Sequence, residues 1–127
     1  IRVLRTYSFP PVEVESDSLS GTFGSVMLAN VGELAVGSVT RRSDPRDGQL
    51  EIVATLPRAL PSWCLGGALA SFDLYDRCPR VERARASRIR IAGRADVPLQ
   101  IDGEPFGHAP VEVEARKGAI RLVTSRP

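Results

Sequence analysis

Two short acidic stretches are where this 127-residue chain could do chemistry. One is Asp102-Gly103-Glu104, a pair of carboxylates flanking a glycine. Glycine lets the backbone turn tightly, so both acids can reach one cleft from the end of a strand. A carboxylate so placed is of the type that orients a hydroxyl or takes up its proton. The other is Asp44-Pro45-Arg46-Asp47-Gly48-Gln49. On residue types alone both stretches are also ordinary turns, because Asp-Gly is among the commonest turn dipeptides and Asp-Pro followed by Asp-Gly is a strong turn signal.

Both stretches border strands. Val97, Leu99 and Ile101 alternate with Pro98 and Gln100 and lead into the first acidic stretch, and Leu50, Ile52 and Ala54 follow the second with the same period of two. A Pro-containing link that includes His108 precedes Val111 and Val113, which alternate with Glu112 and Glu114. Arg116-Lys117-Gly118 then forms a turn before a further strand, Ala119 to Val123. At the other end, Ile1, Val3 and Tyr7 mark a first strand, and Val12 and Val14 start a second with Glu13 and Glu15 facing solvent. Asp17 to Gly21 is a turn between antiparallel strands. Thr22 to Asn30 has an unbroken apolar centre and is expected to be an interior strand. Asn30 to Val39, with Gly32 and Gly37, reads as a loop of the kind that lines sites.

Leu60 to Tyr75 is the one helical stretch, with Leu60, Cys64, Ala68 and Phe72 recurring every fourth residue. From Arg77 to Arg94 the chain carries seven arginines and one acid, Glu82. These arginines suit either an anionic membrane surface or, more simply, the wet face of an edge-exposed strand in which Arg88 and Arg90 interleave with Ile89 and Ile91.

The composition fits one mainly β domain spanning residues 1–127. Apolar residues make up 43%, enough for a core, while ten prolines and eleven glycines punctuate short segments. The formal charge of +2 is too small to argue for nucleic acid. No run of eighteen apolar residues exists, and no signal peptide is evident, so a cytoplasmic protein is expected. Cys64 and Cys78 form no metal pattern and read as reduced thiols. His108 has no Ser or Cys motif beside it and receives no catalytic role. Because the first residue is Ile1, the chain is expected to be the tail piece of a longer protein.

From Val97 to Leu122 the order is apolar strand, Asp-Gly-Glu, Pro-containing link, Val-rich strand, Lys-Gly-Ala-Ile-Arg-Leu. This order resembles the C-terminal domain of the diacylglycerol kinase and sphingosine kinase superfamily of lipid kinases. The D-P-x-D-G-x-L-x-I spacing from Asp44 to Ile52 is similar to another stretch of the same domain, and Asn30 with Gly32 and Gly37 resembles its Asn- and Gly-bearing loop. The resemblance implies a two-sheet β-sandwich with one short helix, of the NAD kinase/diacylglycerol kinase C-terminal type. It implies that Glu104 is the acid facing the lipid hydroxyl, that Asp102 orients Glu104 or orders water, and that Asn30 and Gly32 border the substrate cleft. It further implies that Mg2+ is held by the Asp47 carboxylate and the carbonyls of Asp44 and Gln49, a hard-oxygen set that suits the ion. Relatives carry Pro-x-Ala upstream of this turn, where this chain has Thr40, Arg41 and Arg42.

Relatives bind ATP through a Gly-rich GGDGT-type motif in a preceding domain, and no such sequence occurs here. The expected partners are therefore the chain's own N-terminal nucleotide-binding domain and a lipid acceptor such as diacylglycerol or a sphingoid base. Peripheral contact with the inner membrane surface and a homo-oligomer are compatible with the sequence. The alternative from another class is a non-catalytic β-sandwich binding module in which both acidic stretches are only turns.

Overall fold

The computed structural model of the chain describes residues 10–31, 33–34, 37–38, 44–56, 81–93 and 97–120. Every regular element among them is a strand: β1 (Val12–Ser16), β2 (Ser20–Phe23), β3 (Ser25–Ala29), β4 (Glu33–Leu34), β5 (Gly37–Ser38), β6 (Leu50–Thr55), β7 (Val81–Ala86), β8 (Arg88–Gly93), β9 (Pro98–Ile101), β10 (Glu104–His108) and β11 (Val111–Glu114). The expected Ile1–Tyr7 strand, the Leu60–Tyr75 helix, both cysteines and residues 121–123 of the last expected strand lie outside the described residues. Among the described residues no helix is long and apolar enough to cross a membrane.

β1 shows how the pattern makes the fold. Val12 and Val14 are buried while Glu13 and Glu15 are exposed, so burying one face of the strand leaves the acids in water. β8 does the same with Ile89 and Ile91 against Arg88 and Arg90. These two strands pair antiparallel at the centre of a four-stranded sheet of order β11-β8-β1-β2. A second sheet has the order β3-β6-β7. Their apolar faces meet: Val12, Val14, Phe23, Ile89 and Ile91 from the first sheet pack with Ile52, Ala54 and Ala86 from the second.

Among the described residues the chain passes between the two sheets at two single residues. Gly24 separates β2 of the first sheet from β3 of the second and donates its N–H to the Thr55 carbonyl at 2.8 Å. Ser87 separates β7 from β8 and accepts the Ala115 N–H on its carbonyl at 2.8 Å. The Thr22–Asn30 stretch is thus two strands rather than one, and β3 lies at an edge of its sheet among the described residues, with β6 in the centre. An unbroken apolar run does not distinguish a central strand from an edge strand half-covered on both faces, which is what β3 is.

β8 also differs from expectation: it is interior, flanked by β11 and β1, although its arginine face is wet as expected. Acids on both neighbouring strands meet those arginines. Arg88 lies 3.5 Å from Glu112 and also reaches Glu114, and Arg90 approaches Glu15. Exposed pairs of this kind contribute little to stability, roughly 0–1 kcal/mol each. They do balance the charge of the face.

Candidate functional site

Asp102-Gly103-Glu104 sits at the tip of an arm. Asp102 has φ 50° and Gly103 φ 92°. Two consecutive residues with positive φ between antiparallel strands make a tight two-residue hairpin, the geometry for which Asp-Gly is favoured. Glu104 pairs with Ile101 directly across the turn. The stretch expected to be a link is therefore strand β10, paired among the described residues only with β9. A register irregularity between Pro105 and Gly107 leaves Phe106 unpaired and 62% exposed.

Among the described residues the arm is anchored at its base. Val97 and Ala109 are buried in the core, joined by a 3.0 Å hydrogen bond from the Ala109 N–H to the Val97 carbonyl, and Val97 packs against Gly93. Between them, residues 98–108 are exposed except for half-buried Leu99. By register, Leu99, Ile101 and Glu104 share one face of the arm, so an apolar track leads to the carboxylate. Because Gly103 holds a backbone conformation that side chains disfavour, Gly103→Ala is expected to cost about 1–2 kcal/mol. The loss should be local: amide exchange across Ile101–Phe106 rises while the melting temperature of the core hardly moves.

Asp44, Asp47 and Gln49 are brought together in one turn. The Asp47 N–H donates to the Asp44 carbonyl at 3.2 Å, the Arg46 N–H to Asp44 Oδ1 at 2.9 Å, and the Gln49 N–H to Asp47 Oδ1 at 2.8 Å. Gly48 is required here: its φ is +76°, and a Cβ would come within 3.0 Å of Lys117 Cβ in the turn that follows β11. The other oxygen of Asp47, Oδ2, accepts from Arg85 Nη2 on β7. Asn30, just beyond β3, lies exposed at the same end of the sheet as Gln49, because Ala29 is in register with Glu51. Gly32 lies outside the described residues.

Among the described residues no three His, Cys, Asp or Glu side chains converge on a metal position. A divalent ion at this turn would rely on one carboxylate and backbone carbonyls. The Asp44 to Gln49 turn fits that set in composition, since a carboxylate oxygen and a carbonyl oxygen each keep a second lone pair beside their present hydrogen bond. Arg85 already neutralises the carboxylate, so the fit is to a weak site.

The two acidic stretches spring from opposite ends of β8. The Asp47 turn lies beside Ser87, where β8 begins, because Leu50 pairs with Ala86. The base of the arm lies beside Gly93, where β8 ends. The length of that strand, about 17 Å at about 3.3 Å per residue, separates them. No hydrogen bond or ion pair between them occurs among the described residues.

Nothing in the residue types alone marks Arg85 or Phe106 as a site residue. Arg85 was one of seven arginines in a basic stretch. Its signal was the spacing Arg83-x-Arg85, which puts both on one face of β7, where Arg83 meets the buried Glu51 at 3.2 Å and Arg85 meets Asp47. The four described arginines that fall between Arg77 and Arg94 each have a carboxylate partner.

The sequence matches the family described as the YegS C-terminal NAD kinase beta sandwich-like domain over residues 1–124, and the chain belongs to that family. Solved structures share the fold. One, described as a diacylglycerol kinase of Bacillus anthracis str. Sterne, has a TM-score of 0.67 at 21% identity and matches 92% of this chain and 40% of its own. Another diacylglycerol kinase structure from the same organism has a TM-score of 0.60 at 18% identity, over 92% of this chain and 43% of its own. The chain thus spans about two-fifths of the length of these relatives. No curated protein matches it.

Proposed function

We propose that this chain is the acceptor-side domain of an ATP-dependent lipid kinase, working with an N-terminal nucleotide-binding domain of the same polypeptide. The observation that supports this best is family membership across residues 1–124 combined with an acid, Glu104, held at the tip of an exposed arm. In phosphoryl transfer the acceptor hydroxyl oxygen attacks the γ-phosphorus of ATP, the bond from that phosphorus to the bridging oxygen breaks, and ADP leaves. The hydroxyl proton passes to Glu104. In a loose transition state that proton leaves late, so a positioned carboxylate suffices without being a strong base. Asp102, on the other side of Gly103, orients Glu104 or orders water near it. Leu99, Ile101 and Phe106 offer apolar surface to the lipid stem below its hydroxyl.

Mg2+ belongs to this reading as an ion at the Asp44 to Gln49 turn, held by Asp47 and the carbonyls of Asp44 and Gln49. When bound it supplies a fixed positive charge whose waters acids of the preceding domain can share. This turn lies at the far end of β8 from the base of the Glu104 arm, so its task is to hold the turn and what docks on it.

The test is transfer of labelled γ-phosphate from ATP to a panel of lipid hydroxyls by the full-length polypeptide. Transfer to at least one diacylglycerol, sphingoid base, ceramide or glycerophospholipid is expected, together with none by residues 1–127 alone. Failure with every acceptor would return the domain to the non-catalytic binding class.

A further inference from the structure

The guanidinium of Arg85 occupies the carboxylate that a cation at the Asp44 to Gln49 turn would need. We infer that Arg85 is a resident counter-ion for this turn, competing with a divalent metal for Asp47 and moving toward Glu51 when metal binds. The inference rests on the reading of the turn as a cation site.

Three observations carry it. Asp47 Oδ2 is taken by Arg85 Nη2 and Oδ1 by the Gln49 N–H, so both oxygens of the carboxylate already have donors within the protein. The hold of Arg85 on the turn is one-sided: Nη2 bonds Asp47, whereas Nε is buried without a hydrogen-bond partner among the described residues. A guanidinium that commits one edge and leaves a donor unmatched is poised to re-pair, because an unpaired buried donor is costly. Finally, a second acid is at hand. Glu51 is the direct cross-strand partner of Arg85 in the β6–β7 register, is 3% exposed, and already receives Arg83 at 3.2 Å. Side chains directly opposite on antiparallel strands lie about 4.5–5.5 Å apart at Cβ, within the swing of an arginine.

The consequence for metal affinity follows from charge. A divalent ion approaching Asp47 meets an existing positive neighbour, so it must share the carboxylate against repulsion or displace Arg85. Side chains that hold a metal-ligating group shift metal affinity by about 10–100-fold. Here the holder is itself a cation, so its removal should tighten binding.

The test uses Mn2+, which takes the same oxygen donors as Mg2+ and whose free form is counted by electron paramagnetic resonance. The 127-residue chain is expected to bind Mn2+ weakly, Arg85→Gln about tenfold or more tightly, and the double variant Arg85→Gln, Asp47→Asn not measurably. Equal or weaker binding by Arg85→Gln overturns the inference, and absence of binding in both chain and variant overturns it together with the cation reading of the turn. A second measurement needs no variant. Titration of the wild-type chain with Mg2+, followed by the side-chain 15N signals of Arg85, should move those signals as the ion binds, and saturation of the turn with unchanged Arg85 signals would also overturn it.

Discussion

In the full-length polypeptide, Glu104→Gln is expected to slow phosphoryl transfer by about 10²- to 10⁴-fold, the usual span of a positioned proton acceptor. Fold and melting temperature should stay where they are. The Glu104 side chain is exposed at the tip of its arm and makes no hydrogen bond or ion pair with another described residue, so the swap removes charge and little else. The amide keeps the shape of the side chain but receives no proton, so the loss should appear in kcat more than in KM. Asp102→Asn is the matching control: asparagine tolerates the positive φ at that position, which keeps the turn while removing the neighbouring charge. Its effect should be the smaller of the two. Full activity in Glu104→Gln would remove that residue from the chemistry.

The second large effect belongs to the core. Ile89→Ala should destabilise the domain by about 2–5 kcal/mol, the range for emptying a buried aliphatic site. Ile89 is fully buried on the central strand β8, facing a core to which both sheets contribute, so the cavity would lie between the layers. Chemical denaturation reads the change directly. The neighbouring Arg88→Ala is expected to stay within about 0.5 kcal/mol, because its partners Glu112 and Glu114 are themselves largely exposed. If the two variants were equally unstable, the assignment of inward and outward faces on β8 would be wrong.

That face assignment was legible in the sequence, because a period of two at Val12 to Glu15 and Arg88 to Ile91 has one physical solution when a single face is buried. The Asp-Gly corner was legible for a similar reason: two positive φ values in succession call for these residue types. What the residues did not reveal was long-range. Nothing local in Thr22 to Asn30 says that the chain changes sheets at Gly24, since a crossover is decided by which distant strands pair. The strand nature of Glu104 to His108 was hidden by Pro105 and Gly107, whose irregular register the hairpin absorbs by leaving Phe106 unpaired.

The two acidic stretches show the same limit. Each was visible as a turn with carboxylates, and the spacing from Asp44 to Gln49 was enough to bring those three residues together. The partner of Asp47 was not visible, because Arg85 lies 38 residues away and reaches it only through the β6–β7 pairing. Nor does spacing along the chain reveal that β8 stands between the Asp47 turn and the base of the Glu104 arm.

The central claim concerns one carboxylate and one hydroxyl. A structure of the full-length polypeptide with a non-hydrolysable ATP analogue and its lipid acceptor would measure the distance between them. A Glu104 oxygen within about 3.2 Å of the acceptor hydroxyl, or one water away, with that hydroxyl facing the γ-phosphate, is the predicted result. An arm turned into solvent, with the hydroxyl held by other residues, would contradict it.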